Sequence, residues 1–391
     1  MTSDTFTKII TAGLAIGFSG CAAAAGAGNI AGAGNILRES GVTIHGQVDA
    51  GLVYERLDTK DGKTDSVRLQ SGNSGFTQWE MRGLEKIPDG GMYARFLLRN
   101  RVDLATGQYK DKMLFEQSMV ALGGDFGEIA LGRIGNLRGP LGDYGIFPVI
   151  QANPAGTSMN NNKLSPVFRA GGSADNSIVY ASKRYGGLAL SLQYNNNDDD
   201  SMAAALTYLN GGLRLGTIVS MQKNGALETA RNPEVNDTWD IFLGGSYSFG
   251  SWSLHSGYQY IRNAAGPGGF SSTRWGHAGI SPSKRGFDTH AFLIGARFRA
   301  LGGLFGVLAE MNHTQYKGDG AVLASNEGRG TSGSRYLVGG SYKYFLSKRT
   351  HLYVLGNYSD GTGIYKAPGV KYRAADPIER LQLGAGLFHK F

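Results

Sequence analysis

Arginine recurs at even spacing on stretches that alternate polar and apolar side chains: Arg95, Arg99 and Arg101 lie four and two residues apart, and Arg297 is followed two residues on by Arg299. Guanidinium groups repeated along one face can bind oxyanions, pair with carboxylates or bias the ions that enter a water-filled passage. Other chemistries find less support. The seven histidines (His45, His255, His277, His290, His313, His351 and His389) are widely separated and no HExxH occurs, so no zinc site and no cofactor is expected. Gly62-Lys63 lacks the upstream glycine of a phosphate loop, since position 57 is Leu57, and no G-x-S-x-G elbow is present. A Ser/His/acid site assembled in space is left open by the sequence. The run from Asn195 to Asp200 carries hard oxygen ligands that suit calcium, but an ordinary solvated loop is the preferred reading.

The balance of 39 basic and 31 acidic residues gives a net charge of +8. Such a charge fits nucleic acid, an anionic surface or small anionic solutes without choosing among them, and the dispersal of the basic residues, which form no block, argues against nucleic acid. The single cysteine, Cys21, excludes a disulfide framework. Residues 1–40 read as a signal peptide with a short leader: Lys8, then apolar Ile9 to Phe18, then an Ala/Gly-rich run with small-residue cleavage sites. Phe18-Ser19-Gly20-Cys21 admits a second reading, lipidation of Cys21. Beyond it no run of 18 apolar residues occurs, so any crossing of a membrane must use strands.

The elements that would position the arginines are strands. From residue 41 to 391 period-two alternation runs for about nine to thirteen residues, breaks at a turn, and resumes. Val42, Ile44, Val48, Ala50, Leu52 and Tyr54 take one face of the first stretch, with Thr43, His45, Gln47 and Asp49 on the other. Short turns such as Pro88-Asp89-Gly90 and Leu301-Gly302-Gly303 alternate with long polar connections near 55–75, 101–111, 134–174, 195–201, 223–236, 262–286, 317–334 and 360–378. Such sorting of loops suits an all-β, antiparallel, up-and-down transmembrane barrel of about 16 strands in one domain, 41–391. Strand starts are expected near 42, 76, 91, 112, 127, 175, 187, 202, 213, 237, 251, 287, 303, 334, 350 and 379. Tyr54, Tyr180, Tyr208, Tyr258, Tyr342, Tyr358 and Phe391, near strand ends, are candidates for interfacial anchors.

Four stretches carry a resemblance: GVTIHGQVDAGLVY at the first strand, GDFGEIALGRIGN from Gly124 to Asn136, DNSIVYASKRYGGLALSLQY from Asp175 to Tyr194, and the ending LQLGAGLFHKF. Together they resemble the Gram-negative trimeric general porins, with Lys183-Arg184 standing where a Ser-Pro type turn is more usual. The resemblance implies a homotrimer of outer-membrane barrels whose third loop folds into the lumen. It implies that Arg82, Arg95, Arg99, Arg101 and Arg133 stand on the wall facing that loop, that Asp143 is an acidic residue on it, and that Glu116 replaces a basic residue of many relatives. It further implies that Phe391 is the C-terminal signal read by the barrel-assembly machinery, with outer-membrane lipid and lipopolysaccharide as surroundings. The function expected is passive diffusion of small hydrophilic solutes and ions, with a mild anion preference and no enzymatic role. The alternatives are a substrate-selective anion channel, or an outer-membrane barrel serving as adhesin or enzyme.

Overall fold

A computed structural model describes residues 40–59, 62–88, 90–109, 114–137, 139, 143–145, 172–196, 201–223, 236–264, 285–318, 332–366 and 379–391. The leader, including Cys21, and most of the long connections, including 197–200, lie outside the described residues.

Among the described residues the strands are β1 (Gly41–Thr59), β2 (Gly62–Ser71), β3 (Gln78–Lys86), β4 (Tyr93–Arg101), β5 (Gln117–Gly124), β6 (Gly127–Gly135), β7 (Ser173–Ala181), β8 (Leu188–Asn195), β9 (Ser201–Asn210), β10 (Leu213–Gln222), β11 (Thr238–Phe249), β12 (Trp252–Ala264), β13 (Phe287–Ala300), β14 (Gly303–Tyr316), β15 (Ser332–Phe345), β16 (Thr350–Gly361) and β17 (Glu379–Lys390). Each pairs antiparallel with its sequence neighbour, apart from the β2–β3 step, and β1 returns to pair with β17 over Gln47–Asp58. The sheet therefore closes on itself. β2 and β3 occupy one place in the wall, because both pair with β1, β3 along Gly41–Gln47 and β2 along Ala50–Thr59. The result is a closed 16-strand antiparallel barrel.

The faces are reversed relative to a water-soluble core. Outward-pointing Ile44, Leu52, Leu243 and Ile294 are more than half exposed, whereas inward-pointing Asp49, Glu128, Gln382 and Asn312 are buried. In hydrocarbon the backbone has no water to bond, so closure satisfies every strand edge while the apolar face meets lipid. Outward aromatics fall in two bands. Trp252, Phe298, Phe305 and Tyr342 pack in sequence across β12–β15 at the end carrying the short turns, with centroid spacings of 4.5, 5.1 and 4.5 Å. Toward the other end Tyr258 packs on Phe292 at 5.0 Å and Tyr336 on Tyr358 at 6.5 Å. The turn between β13 and β14 is made by Leu301 and Gly302, both at positive φ (51° and 74°) as a tight two-residue hairpin requires.

Most strand starts fall within two or three residues of those expected, but the start expected near 112 is corrected to Gln117, and the connection expected over 55–75 is corrected as well. β1 runs on to Thr59 and β2 returns as its partner. No burial patterns β2, since nearly all its side chains are exposed; cross-strand polar contacts hold it instead, with Arg56 Nε donating to Asp65 at 2.8 Å and Tyr54 Oη to the same carboxylate at 2.6 Å. Between β2 and β3 the chain dips inward over residues 72–77. The Ser74 and Gly75 amides donate to the Asp49 carboxylate, which also accepts from Tyr353 Oη at 2.7 Å, so the backbone groups removed from the ladder keep partners.

Ile294 is 67% exposed on the outer face. Ile294→Arg is expected to cost about 2–4 kcal/mol near the bilayer midplane, read as a lower urea midpoint for folding into lipid vesicles, with Ile294→Leu as control. Equal midpoints for the two variants would contradict the assignment of this face to lipid.

Candidate functional site

The inward face of β3 and β4 carries Glu80, Arg82, Leu84, Tyr93, Arg95, Leu97 and Arg99, placed there by alternation from strand pairing Glu80 with Arg99 and Arg82 with Leu97. β6 adds Glu128 and Ala130 on the same side, while Ile129 and Leu131 point out. Tyr93 reaches Glu128 by lying across Gly123 of β5, where any Cβ would collide with its ring. A glycine is required at that position for the two strands to communicate.

Residues 143–145 rest against this wall. Arg82 grips the Asp143 carboxylate with both terminal nitrogens, at 3.0 and 2.8 Å, and Arg95 Nη1 reaches it at 2.7 Å. Arg99 stands 3.8 Å away. Arg95 in turn holds Glu128 in a fork, Nε at 2.8 Å and Nη2 at 2.6 Å, and donates to Tyr144 Oη at 2.9 Å. Tyr93 and Tyr144 both donate to Glu128. Glu80 accepts from Arg82 Nε at 2.9 Å and Arg99 Nε at 2.6 Å, with His45 Nδ1 at 3.1 Å, and Arg99 Nη1 donates to Gln117 at 2.9 Å. All six charged groups are buried.

The network is balanced: Arg82, Arg95 and Arg99 face Asp143, Glu128 and Glu80. Burial by itself would raise the Asp143 carboxyl, but the guanidinium groups of Arg82, Arg95 and Arg99 outweigh it and hold the group below the ordinary carboxylate range. The clamp is therefore fully formed at neutral pH, and its contribution is lost only as pH falls through the depressed value. Forked guanidinium–carboxylate contacts fix distance and direction together, so their chemical effect here is to fasten residues 143–145 to the wall.

The structure brings together Arg82, Arg95, Arg99 and Asp143. Arg101 lies further along β4, where its guanidinium covers the Phe76 ring at 4.0 Å and donates to Glu116 at 3.0 Å. Arg133 does not join them. It pairs across β5 with Ser118, on the face opposite Gln117 and Met119, and is held by the Glu116 carbonyl at 3.0 Å and the Asp175 carboxylate. The reason is local: β6 shifts register against β7 between Gly132 and Ile134, with Gly132 at a φ of 138°, so Arg133 sits at an irregularity of the strand. Glu128 and Tyr144 are central and were not among the residues singled out above. For Glu128 the available signal was its place on the inward side of the alternation. Phe391 sits beside the closure, exchanging backbone bonds with Gly46 at 3.0 and 3.1 Å.

Comparison with known proteins places this geometry in context. The family model described as "Gram-negative porin" matches residues 11–363. An outer membrane porin protein of Bordetella pertussis is 24% identical over 424 residues, covering 98% of this chain and 99% of that protein. Outer membrane porin protein 32 of Delftia acidovorans is 28% identical over 237 residues, 55% of this chain and 62% of the relative. Among solved structures, the anion-selective porin from Comamonas acidovorans superposes with a TM-score of 0.63 at 20% identity, covering 90% of this chain and all of that one. An outer membrane protein of Vibrio cholerae in its trimer form gives 0.57 at 12% identity, with 90% and 100% coverage.

Removing Glu128 strands Arg95 and two tyrosine hydroxyls inside the wall. Glu128→Ala is expected to weaken the barrel by about 3–5 kcal/mol, measured as a lower urea midpoint in vesicles, while Glu85→Ala on the exposed end of β3 leaves it in place. A Glu128 variant as stable as the Glu85 variant would show that the network is not structural.

Proposed function

We propose, from the premise that this chain belongs to the Gram-negative porin family, that it forms a passive diffusion channel for small hydrophilic solutes and ions with a mild preference for anions. It is a multi-pass β-barrel of the cell outer membrane. The observation that carries the proposal is the reversed wall, apolar outside and charged inside, closed without a free edge. A passage lined in this way conducts water and ions without a cofactor or energy source, and its selectivity follows from radius and wall charge.

In this reading the third long connection folds inward and Asp143 fastens it. Arg82, Arg95 and Arg99 act chiefly as anchors, since each is already matched by a carboxylate, while Arg101, Glu116 and Arg133 brace the rim of the same wall. The anion preference is supported by the net charge of +8 and by the named selectivity of the Comamonas protein. A homotrimer is supported by the Vibrio cholerae neighbour solved in trimer form. Residues 1–40 act as a leader removed from the barrel 41–391, Phe391 marks the chain for the barrel-assembly machinery, and the outer aromatic bands seat the barrel among lipid and lipopolysaccharide.

Single-channel recording of the refolded protein in a planar bilayer under a salt gradient is expected to give current steps in groups of three and an anion-leaning reversal potential. A silent membrane, with the barrel folded, would overturn the channel reading. Asp143→Asn removes one carboxylate and the forked clamp together. Its expected outcome is a larger unit conductance and a reversal potential shifted further toward anions; unchanged values of both would contradict the role given to Asp143.

A further inference from the structure

The wall across the barrel from the Asp143 clamp is charged differently. Alternation points Arg214 of β10, His255 of β12, Arg297 of β13 and Lys343 of β15 inward, all toward the end that carries the short turns. The pairing register clusters them. Arg214 is opposite Ser246, which is opposite His255; Ser253, two residues along β12, is opposite Arg297. Arg297 is opposite Gly306, and Gly306 opposite Ser341, two residues from Lys343. The charges act on one another: Arg297 on Arg214, both on His255, and Arg297 on Lys343. Among the described residues Arg214 and Lys343 make no ion pair. Asp49 lies within Coulombic reach of Lys343 but already accepts from two backbone amides and Tyr353.

Two further observations point to an occupant. His255 is only 4% exposed, its Nε2 is 3.0 Å from Ser253 Oγ, and its Nδ1 has no hydrogen-bond partner. Ser341 Oγ is likewise buried and unpartnered. Between these donors the wall residues are Gly295, opposite His255, and Gly306, opposite Arg297 and Ser341, neither of which adds a side chain to the cluster. Buried polar atoms without partners are costly, and like charges held side by side are costly as well; one multivalent anion relieves both.

We infer that Arg214, His255, Arg297, Ser341 and Lys343 form a docking subsite for a doubly charged oxyanion of the phosphate class, inorganic phosphate or a phosphomonoester, on the inner wall near the short-turn end. Guanidinium forks, an ammonium, an imidazole and a hydroxyl together match the several oxygens of such an ion, where chloride would engage fewer of them. This subsite rests on the channel reading and deepens it, since a solute must enter the lumen to reach it.

The test is chloride current through the full-length refolded protein, titrated with inorganic phosphate at neutral pH. Phosphate is expected to reduce the current saturably. Arg214→Ser with Lys343→Ser should raise the half-blocking concentration by about tenfold or more, given the strength of charge-assisted hydrogen bonds. His255→Phe with Ser341→Ala removes the unpartnered donors and should weaken phosphate block several-fold. Steady chloride current with no saturable phosphate effect, or block of equal strength in wild type and both double variants, overturns the subsite and leaves the channel reading standing. Absence of any current from folded protein overturns both.

Discussion

The bonding between β1 and β17 is the constraint on which the other features depend. In hydrocarbon an unpaired strand edge leaves a row of amide and carbonyl groups without partners, each costing several kcal/mol. Pairing Gln47–Asp58 with Glu379–Lys390 removes the edge, and Phe391 extends the ladder by bonding Gly46. Once the ring is closed, every strand has one face in lipid and one in the lumen. The polar residues must all point one way, and a large inventory of charge accumulates in a confined space.

Confinement explains why Arg82, Arg95 and Arg99 are matched so completely. Charges withdrawn from bulk water carry a desolvation penalty that attraction repays only when geometry is good and the remaining donors are satisfied. Here the repayment comes from forks onto Asp143 and Glu128, from Glu80 shared by two arginines, and from Gln117, Tyr93 and Tyr144 at the free positions. The same logic operates at Asp49, where an isolated inward carboxylate is met by backbone amides released by the dip between β2 and β3. Even a break in the ladder is placed where a charge needs donors.

Much of this was legible in the sequence, for an identifiable reason. Lipid imposes apolar side chains at every second position of each wall strand, so starts at Gly127, Leu213, Phe287, Gly303, Thr350 and Glu379 follow from alternation and turn residues alone. β2 was not legible because no burial patterns it, and polar pairs such as Arg56 with Asp65 leave no periodic trace. Arg133 is instructive in another way. Similarity to relatives placed it on the lumen wall; in the structure it stands opposite Ser118 at a shift of register between β6 and β7, which alternation alone does not signal. Parity does point Glu128 inward, but its importance comes from Arg95 and two tyrosines distant in sequence.

What alternation cannot reveal is which inward arginine is structural and which faces the passage. Arg95 and Arg214 stand in equivalent local patterns, yet Arg95 meets Glu128 two strands away and Asp143 from a long connection, whereas Arg214 meets Ser246 and, beyond it, His255. A matched arginine contributes little field beyond its partner, because the pair is nearly a dipole and its potential falls off quickly with distance; an unmatched one projects across the lumen. Selectivity in such a barrel is thus set less by how many arginines point inward than by where carboxylates are withheld. In the reading proposed here the matched charges around Asp143 add little field, and the field that sorts ions is that of Arg214 and Lys343 on the opposite side, where glycine and serine stand in the wall.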